Sequence, residues 1–436
     1  MSAESVTHAS RERLHTLRER ELERFAELRP RGMRSLERAA ANMPNSVPTA
    51  WMSNFYEHPP VVVERGSGAG FTDIDGNSYI DFNLADTSMF TGYGLEALTD
   101  AVAAQTAAGP QFLLPTEDGA EVAGELTKRF ALPFWQFTLS ATQANTEAIR
   151  VARAATGRSV VLMFDGKYHG HADELLGELD GAKVAPEGLG VPSDATRHVR
   201  LVQYNDLEAV ERELARGDVA CILAEAAVTN TGVIRPADGF HAGLRRLAST
   251  SGTLLVIDET HTLVAGPGGL TAHWGLEPDL VVLGKAISGG IPLGAYGMTA
   301  PVASVLERRS PTPWGETVAT GGTLRQCALA GGRPSHARGD THRRRLRARR
   351  GARRTIGRRH RGGRRRAGPA LALAPAVQPV RVHARVRAAL ERGGGSSHIR
   401  FRALQPAAPL HGKPRHLGGD RLVGPSMRHS GERGRR

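Results

Sequence analysis

Two polar residues that follow short apolar runs are the first candidates for chemistry in this chain. Asp258 ends the run 254–257, and Lys285 follows the run 280–283 after a single glycine. Both runs are rich in Val, Leu and Ile, which is typical of parallel strands buried on both faces. Because parallel strands end at the same edge of a sheet, we expect the carboxylate and the amine to face one site.

The chemistry that this pair could perform is specific. An amine at the end of an apolar strand is partly desolvated, which favours the neutral form that condenses into a Schiff base. A carboxylate on the neighbouring strand can hold a pyridinium nitrogen. The pair therefore predicts pyridoxal 5'-phosphate as cofactor, with Lys285 and Asp258 as catalytic residues. The alternative is a surface lysine just past a strand, but lysine is scarce in this chain, which has only Lys128, Lys167, Lys183, Lys285 and Lys413.

A phosphate site is predicted where a third strand passes into a helix. Ser140, Ala141 and Thr142 follow the strand and open the helix. The free amides and the positive dipole end of a helix N-terminus suit a phosphate. Serine and threonine are also ordinary helix caps, so this signal alone leaves both interpretations open.

Two further strand ends carry polar or aromatic groups. Tyr168 follows one strand and could stack on an aromatic cofactor ring. His169 and His171 lie beside it, but two histidines at this spacing without an acidic or cysteine partner do not predict a metal site. Glu225, and Asn230 soon after it, follow another strand.

Strands and helices alternate through this part of the chain. Strands are predicted at 135–139, 160–164, 199–202, 219–223, 254–257 and 280–283, and helices at 144–155, 207–215 and 240–250. Upstream, we predict a charged docking helix at 10–30, strands at 61–63 and 70–82 with a tight turn at 75–77, and helices at 95–107 and 117–130. The pattern indicates an α/β fold: a mostly parallel central sheet with helices on both faces.

Taken in order, these motifs resemble the class III pyridoxal-phosphate aminotransferases of fold type I, and among them the glutamate-1-semialdehyde 2,1-aminomutase-like proteins. The resemblance covers roughly residues 35–323. It rests on residues 73–77, 140–144, 168–171, 258–259, 284–285 and 321–323.

The resemblance implies a role for each site residue. Lys285 would carry the Schiff base and Asp258 would hold the pyridinium. The phosphate would be bound by Ser140, Ala141, Thr142 and, from the neighbouring subunit, Thr323. Tyr168 would stack on the ring, and the remaining cofactor-binding positions would be His169, Glu225, Asn230, Thr260 and His261. The active unit would then be a homodimer acting on small-molecule amino and keto substrates.

The implied function is transamination between an amino donor and a carbonyl acceptor. The alternatives are an aminomutase or another isomerase on the same scaffold, and an inactive product with a basic RNA-binding tail. The aminomutases carry an arginine for the substrate carboxylate soon after an early Pro-Gly-Gly, whereas residues 43–51 contain none. This difference argues against glutamate 1-semialdehyde as substrate. Trp51 in that region suits either an apolar substrate group or a packing role.

Charge divides the chain into two parts. Residues 325–436 carry 30 basic and four acidic side chains, a net charge of +26, whereas residues 1–324 carry 27 basic and 40 acidic ones, a net charge of −13. We therefore predict an N-terminal helix and strands at 1–85, a large cofactor-binding domain at 86–324 and an arginine-rich, disordered tail at 325–436.

The tail is predicted to be a frameshift product. In the family the sequence Gly-Gly-Thr-Leu continues as Phe-Gly-Asn-Ala, and permitted codons for residues 325–328 read as those four residues when they are regrouped by one base. The C-terminal small domain would then be lost, and we expect poor solubility and little activity for the chain as written. The rival interpretation is an evolved nucleic-acid arm, but Phe401 is its only aromatic residue for base stacking. We expect only non-specific nucleic-acid binding.

Composition also predicts a location. The chain has no apolar run of membrane-spanning length and no apolar signal core near its start. Cys221 and Cys327 are too few for a disulfide framework, so a reducing cytoplasm is expected. Cys221 lies in an apolar run and is predicted to be a core residue.

Overall fold

A computed structural model describes residues 3–112, 114–181 and 183–307. Its strands are β1 Val63–Ser67, β2 Gly70–Asp73, β3 Ser78–Ile80, β4 Phe134–Thr138, β5 Val160–Phe164, β6 Gly177–Asp180, β7 Lys183–Pro186, β8 Val199–Val202, β9 Val219–Glu225, β10 Leu254–Asp258, β11 Leu280–Leu283 and β12 Gly294–Met298. Its helices are α1 Ala3–Glu27, α2 Pro30–Ala40, α3 Trp51–Asn54, α4 Glu96–Ala108, α5 Glu117–Phe130, α6 Ala141–Thr156, α7 Leu207–Leu214, α8 Phe240–Ser251, α9 Gly269–His273 and α10 Ala300–Glu307.

Seven strands form the central sheet, in the order β4-β12-β11-β10-β9-β5-β8. The β8–β5, β5–β9, β9–β10 and β10–β11 pairs are parallel, and β12 runs antiparallel to both of its neighbours, β11 and β4. Asp258 aligns with Glu225 on one side and with Val282 on the other. The carboxyl ends of β9, β10 and β11 therefore lie side by side, as expected for a site at one edge of a parallel sheet.

The inner strands β5, β9, β10 and β11 are apolar along most of their length because each packs a core on both faces. In β10, Val256 joins a cluster that contains Ala148 of α6 and Val302 of α10. Its neighbours Leu255 and Ile257 join a second cluster with residues of α7 and α8. Successive side chains of a strand point to opposite faces, so two helical layers leave no polar face on the strand.

The N-terminal strands form a separate antiparallel sheet, β1-β2-β3. Asp73 fixes the turn between β2 and β3, since its carboxylate accepts hydrogen bonds from the amides of Asp75 and Asn77. Asp75 in turn accepts from the amides of Arg31 and Gly32 at the start of α2. A turn carboxylate thus satisfies the free amides at the start of the helix.

The α/β class and the mostly parallel sheet are confirmed. The predicted strands at 160–164, 199–202 and 280–283 and the predicted helix at 117–130 have the observed bounds. The helix predicted for 10–30 extends from Ala3 to Glu27, and Pro30 begins a second helix. Strand β12, the β6–β7 hairpin and helices α2, α3, α9 and α10 were not predicted. Cys221 is buried, as expected.

The division at residues 85 and 324 remains a prediction, and the arginine-rich tail lies outside the described residues. Among the helices of residues 3–307 that the structure describes, none is both long enough and apolar enough to cross a membrane.

Candidate active site

The N-terminus of α6 forms one wall of the site. Ser140 has extended backbone angles, and its Oγ accepts a hydrogen bond from the amide of Gln143 at 3.2 Å. This is an N-cap, which satisfies one of the free amides of the helix. Ala141 and Thr142, the first two helical residues, line the cavity in front of it. Because the helix has 16 residues, its dipole favours an anion at this end.

Two glycines allow neighbouring loops to approach this helix end closely. A Cβ atom on Gly170, whose φ is +104°, would lie 2.1 Å from Thr142 Oγ1. A Cβ atom on Gly284 would lie 2.6 Å from the Cβ of Ala141. The loops after β5 and β11 can therefore contact the N-terminus of α6 only because both positions are glycine.

Asp258 is a buried carboxylate at the end of β10, 2 % exposed. Its Oδ2 accepts from His169 Nδ1 and Asn145 Nδ2, both at 2.8 Å, and its Oδ1 accepts from the amide of Thr260 at 2.9 Å and from its hydroxyl. Burial alone would raise the pKa of Asp258, but the His169, Thr260 and Asn145 hydrogen bonds outweigh it and lower the pKa. Asp258 therefore stays ionised in a dry environment.

His169 and Asn145 link this carboxylate to the cavity wall. Both are fully or almost fully buried, and Asn145 Nδ2 also donates to the carbonyl of His169 at 3.0 Å. His169 Nδ1 donates to Asp258, whereas His169 Nε2 and Asn145 Oδ1 have no hydrogen-bond partner among the residues that the structure describes. Buried polar atoms are rarely left unsatisfied away from functional sites.

Lys285 follows β11 and opens a short 3₁₀ turn, Lys285–Ser288. Its φ of +47° lies in the left-handed region, which is uncommon for a residue with a side chain. The side chain is 18 % exposed, and its Nζ donates to Asp86 Oδ2.

Behind Lys285 lies a network of charged groups. Asp86 Oδ2 is also 3.9 Å from His261 Nε2, and His261 Nδ1 is 2.7 Å from Thr229 Oγ1 and 3.7 Å from Glu225 Oε2. Burial would lower the pKa of His261, but the carboxylates of Asp86 and Glu225 outweigh it and raise the pKa to about 9. The positive charges of His261 and Lys285 hold the pKa of Asp86 well below its usual range. Burial alone would raise this pKa, but its effect is smaller.

These elements enclose a cavity of about 350 Å³. The predicted site residues that line it are Ser140, Ala141, Thr142, Tyr168, His169, Asp258, Thr260 and Lys285. Three apolar residues before β12, Ile291, Pro292 and Leu293, also line the cavity.

Three predicted residues lie elsewhere, and a fourth is not described. Glu225 is buried behind the cavity, where its Oε1 accepts from the amide of Tyr168 at 3.2 Å. His261 contacts Asp86 without lining the cavity. Asn230 is exposed and outside the cavity. Thr323 falls outside the described residues.

Tyr168 and Trp51 differ in their relation to the site. Tyr168 is 39 % exposed at the cavity, and burial together with the negative charges of Asp86 and Glu187 raises its pKa. Trp51 is 58 % exposed, packs against Phe55 with a centroid distance of 5.8 Å and does not line the cavity. The packing interpretation of Trp51 therefore agrees better with its position than a substrate contact within this chain.

Three residues of the network were not predicted from the sequence: Asp86, Asn145 and Thr229. Asn145 lies one turn into α6, so its position relative to Ser140 was an available signal. Asp86 lies in a loop without periodicity and nearly 200 positions before Lys285, so no local pattern indicates the contact.

The residues fit pyridoxal phosphate. The cavity falls in the usual size range for small-molecule sites. It has free helix amides at one end, an ionised buried carboxylate in its wall and one lysine amine on its lining. The cradle formed at Gly170 and Gly284 would be filled by any side chain at those positions. No described group contradicts the fit.

Comparisons with known proteins identify a family for this chain. Residues 51–330 match the model of the family Aminotransferase class-III. Glutamate-1-semialdehyde 2,1-aminomutase of Chloroflexus aggregans is 40 % identical over 247 residues, covering 54 % of this chain and 56 % of the relative. The protein of the same name from Gemmatimonas aurantiaca is 39 % identical over 259 residues, covering 58 % of this chain and 59 % of the relative. This chain thus spans only a little over half the length of these relatives.

Solved structures give the same picture over a larger share of the chain. A glutamate-1-semialdehyde-aminomutase from Pseudomonas aeruginosa PAO1, in complex with PMP, is 41 % identical with a TM-score of 0.69, covering 73 % of each chain. An omega-transaminase from Sphaerobacter thermophilus is 30 % identical with a TM-score of 0.61, covering 69 % of this chain and 71 % of that one. Class III aminotransferases use pyridoxal phosphate. On the family match, which covers well over half of its residues, the chain belongs to the class III aminotransferases.

Proposed function

We propose that this chain carries the cofactor-binding part of a pyridoxal-phosphate transaminase that moves an amino group between small-molecule amino and keto substrates. The observation that carries the proposal is the meeting of three groups at one cavity: the amine of Lys285, the buried carboxylate of Asp258 and the N-terminus of α6. Family membership agrees with it.

When bound, pyridoxal phosphate supplies an aldehyde that condenses with amines and a protonated ring that withdraws electrons. In this proposal the amides of Ala141 and Thr142 hold the phosphate, and Asp258 holds the ring nitrogen in its protonated form. His169, Asn145 and Thr260 orient that carboxylate and keep it ionised. Tyr168 covers one face of the ring.

Lys285 is the proposed covalent and acid–base group. It is the only lysine on the cavity lining within the described residues. Beside a bound amino substrate, its Nζ would accept and return one proton.

The experiment uses the bound cofactor as its own reporter. The protein with its reading frame restored after Leu324 is mixed with pyridoxal phosphate and then with a series of amino donors without an acceptor, while the absorbance spectrum is followed. A transaminase converts the cofactor to the pyridoxamine form in proportion to the keto acid released. Donors that leave the spectrum unchanged throughout would contradict the proposal.

An aminomutase is the second candidate, favoured by the names of the relatives. It would start from the pyridoxamine form and return the amino group to the same carbon skeleton. The products distinguish the two: a transaminase needs a separate carbonyl acceptor and releases a keto product, whereas an aminomutase converts a single substrate into its isomer without an added acceptor. The absence of an arginine in residues 43–51 favours the transaminase.

We also propose that residues 325–436 arise from a shifted reading frame. The family match ends at residue 330, close to the point after Leu324 where the charge of the sequence reverses. The proposed homodimer, with Thr323 reaching the neighbouring phosphate, requires the restored frame. The tail as written would bind nucleic acid only non-specifically, and the cytoplasmic location rests on the low cysteine count. Resequencing codons 320–330 tests the shift. The hypothesis would be contradicted if related strains had this same reading frame and encoded the same arginine-rich tail.

A further inference from the structure

One carboxylate near the cavity contacts two potential cations. Asp86 Oδ2 accepts from Lys285 Nζ and lies 3.9 Å from His261 Nε2. Both contacts are to the same oxygen, so the lysine and the histidine compete for it. A carboxylate that is shared in this way stabilises each cation less than it would stabilise one alone.

The contacts of His261 assign it a charge. The hydroxyl of Thr229 has one hydrogen, and it is directed at Glu225 Oε2 over 2.6 Å. Thr229 Oγ1 must therefore accept at its 2.7 Å contact with His261 Nδ1, which places a hydrogen on Nδ1. Nε2 lies 3.9 Å from the Asp86 carboxylate, too far for a hydrogen bond but close enough for an ion pair, and the carboxylates of Asp86 and Glu225 on either side of the ring favour its cationic form.

The loop that carries Asp86 is held in a demanding conformation. Leu84, Ala85, Asp86 and Thr87 all have φ between +50° and +66°, although none is glycine. Side-chain oxygens hold the loop in place: Asp81 Oδ1 accepts from the amide of Leu84, and Asn83 Oδ1 accepts from the amide of Asp86. Consecutive left-handed residues are unfavourable and are retained where they place a group that is needed.

We propose that Asp86 and His261 form a positioning pair for Lys285, in which Asp86 holds the free ammonium and the His261 cation opposes it. The inference deepens the proposed function and relies on it only for the identity of Lys285 as the reacting amine. The other titratable groups that face the pair are Glu225 behind His261 and Tyr168 beside Asp86.

The pair would act whenever Lys285 is not bonded to the cofactor. The Asp86 carboxylate then holds the nitrogen of Lys285 at the cavity, and the positive charge of His261 weakens this hold. Asp86 is 59 % exposed, and salt should therefore weaken its influence.

The test is competitive labelling of the cofactor-free full-length chain. A trace of fluorodinitrobenzene is added at a series of pH values, and the labelled peptide of each lysine is quantified by mass spectrometry. Only uncharged amines react, so the labelling curve of Lys285 reports its proton. Lys128, which pairs with Glu125 on the surface, serves as the internal standard.

The two variants are expected to act in opposite directions. Asp86→Asn removes the anion, so Lys285 should be labelled at lower pH, with about tenfold more label at pH 8. His261→Gln removes the opposing cation, so labelling should move to higher pH, with about threefold less label at pH 8 and no difference well above pH 9. Asp194→Asn removes an exposed carboxylate outside the site and should leave the curve unchanged.

The labelling curve of Lys285 also provides the results that would contradict the proposal. An unchanged curve in either variant, or shifts in the same direction in both, would overturn it. If Asp86→Asn does not fold, His261→Gln alone remains decisive. Because the cofactor is absent, an inactive protein can pass this test and an active transaminase can fail it, so the proposed function is judged separately.

Discussion

At the scale of single residues, the site depends on a carboxylate that keeps its charge without solvent. Asp258 is 2 % exposed, yet hydrogen bonds from His169, Asn145 and Thr260 lower its pKa. A buried anion is tolerable only with such donors or a cation beside it. The position is therefore already prepared for a cationic ring nitrogen.

Replacing Asp258 by asparagine should separate cofactor attachment from catalysis. Asp258→Asn keeps the shape of the side chain but removes the negative charge, so the ring nitrogen would lose its proton and its electron-withdrawing power. We expect transamination to fall by about a hundredfold or more, while the cofactor still attaches to Lys285. Turnover and borohydride trapping are measured on the same sample, and unchanged turnover would refute this role.

His261 should make stability depend on pH. Its pKa is raised from an ordinary 6.5 to about 9 in the folded chain. Its contribution is thus fully present below about pH 6.5 and is lost as the pH rises through about 9. We expect the free energy of unfolding to fall by roughly 2 kcal/mol across this window.

Urea unfolding at several pH values measures the His261 effect. His261→Gln is the matched control, and its stability should vary much less between pH 6.5 and 9. A slope that persists unchanged in the variant would assign the pH dependence to other groups.

Chemistry-bearing residues at strand ends were predictable, whereas their partners were not. Lys285, Asp258 and Ser140 each follow an apolar run, and the cavity brings them together. The role of Asp86 depends on the tertiary fold, which brings its loop to Lys285 at the end of β11. The resemblance predicted Asn230 near the cofactor, but Asn230 is exposed, and a cofactor contact does not explain that position.

At the scale of elements, the site depends on how closely the loop after β5 approaches α6. Gly170 has φ +104°, and a Cβ there would meet Thr142 Oγ1 at 2.1 Å. Gly188 has φ +87° with nothing within 4 Å of a Cβ. A comparison of substitutions at Gly170 and Gly188 therefore separates the effect of backbone strain from the effect of the close approach to Thr142.

Gly170→Ala and Gly188→Ala should therefore differ. Both pay for a left-handed alanine, about 1–2 kcal/mol in the free energy of unfolding. Only Gly170→Ala should displace Thr142, and we expect it to weaken binding of pyridoxal phosphate by about tenfold or more. Cofactor titration by absorbance, together with urea unfolding, tests this, and equal binding in both variants would contradict it.

Buried strands built from runs of Val, Leu and Ile were the most predictable elements, and β12, which is buried but lacks such a run, was the least. Its sequence, Gly-Ala-Tyr-Gly-Met, contains two glycines, which are depleted in strands. The structure explains both: a Cβ on Gly294 would lie 2.3 Å from the carbonyl oxygen of Ser140, and one on Gly297 would lie 2.6 Å from the Trp135 ring. Tertiary packing, which no local pattern encodes, selects glycine here.

At the scale of the whole molecule, several large apolar side chains of the described residues are unusually exposed to solvent. Phe82 is 95 % exposed, Ile80 77 % and Leu114 74 %. Apolar surface of this kind is normally covered by another domain or subunit. The charged tail is a poor cover for it, because its arginines would have to be desolvated.

Restoring the reading frame after Leu324 should therefore change the behaviour of the protein. We expect the restored protein to be soluble and dimeric, and the chain as written to aggregate or to bind nucleic acid in a salt-dependent way. Sedimentation of both proteins at low and high salt is the measurement. A soluble, fully active dimer of the chain as written would show that the tail is no accident.

The most direct test of the account is the identity of the amine that binds the cofactor. Protein incubated with pyridoxal phosphate is reduced with borohydride, digested and analysed by mass spectrometry, in the chain as written and in the frame-restored protein. We predict one stoichiometric pyridoxyl adduct on the peptide that contains Lys285, and its loss in Lys285→Ala. Label spread over Lys128, Lys167 and Lys183, or retained in Lys285→Ala, would contradict the central claim.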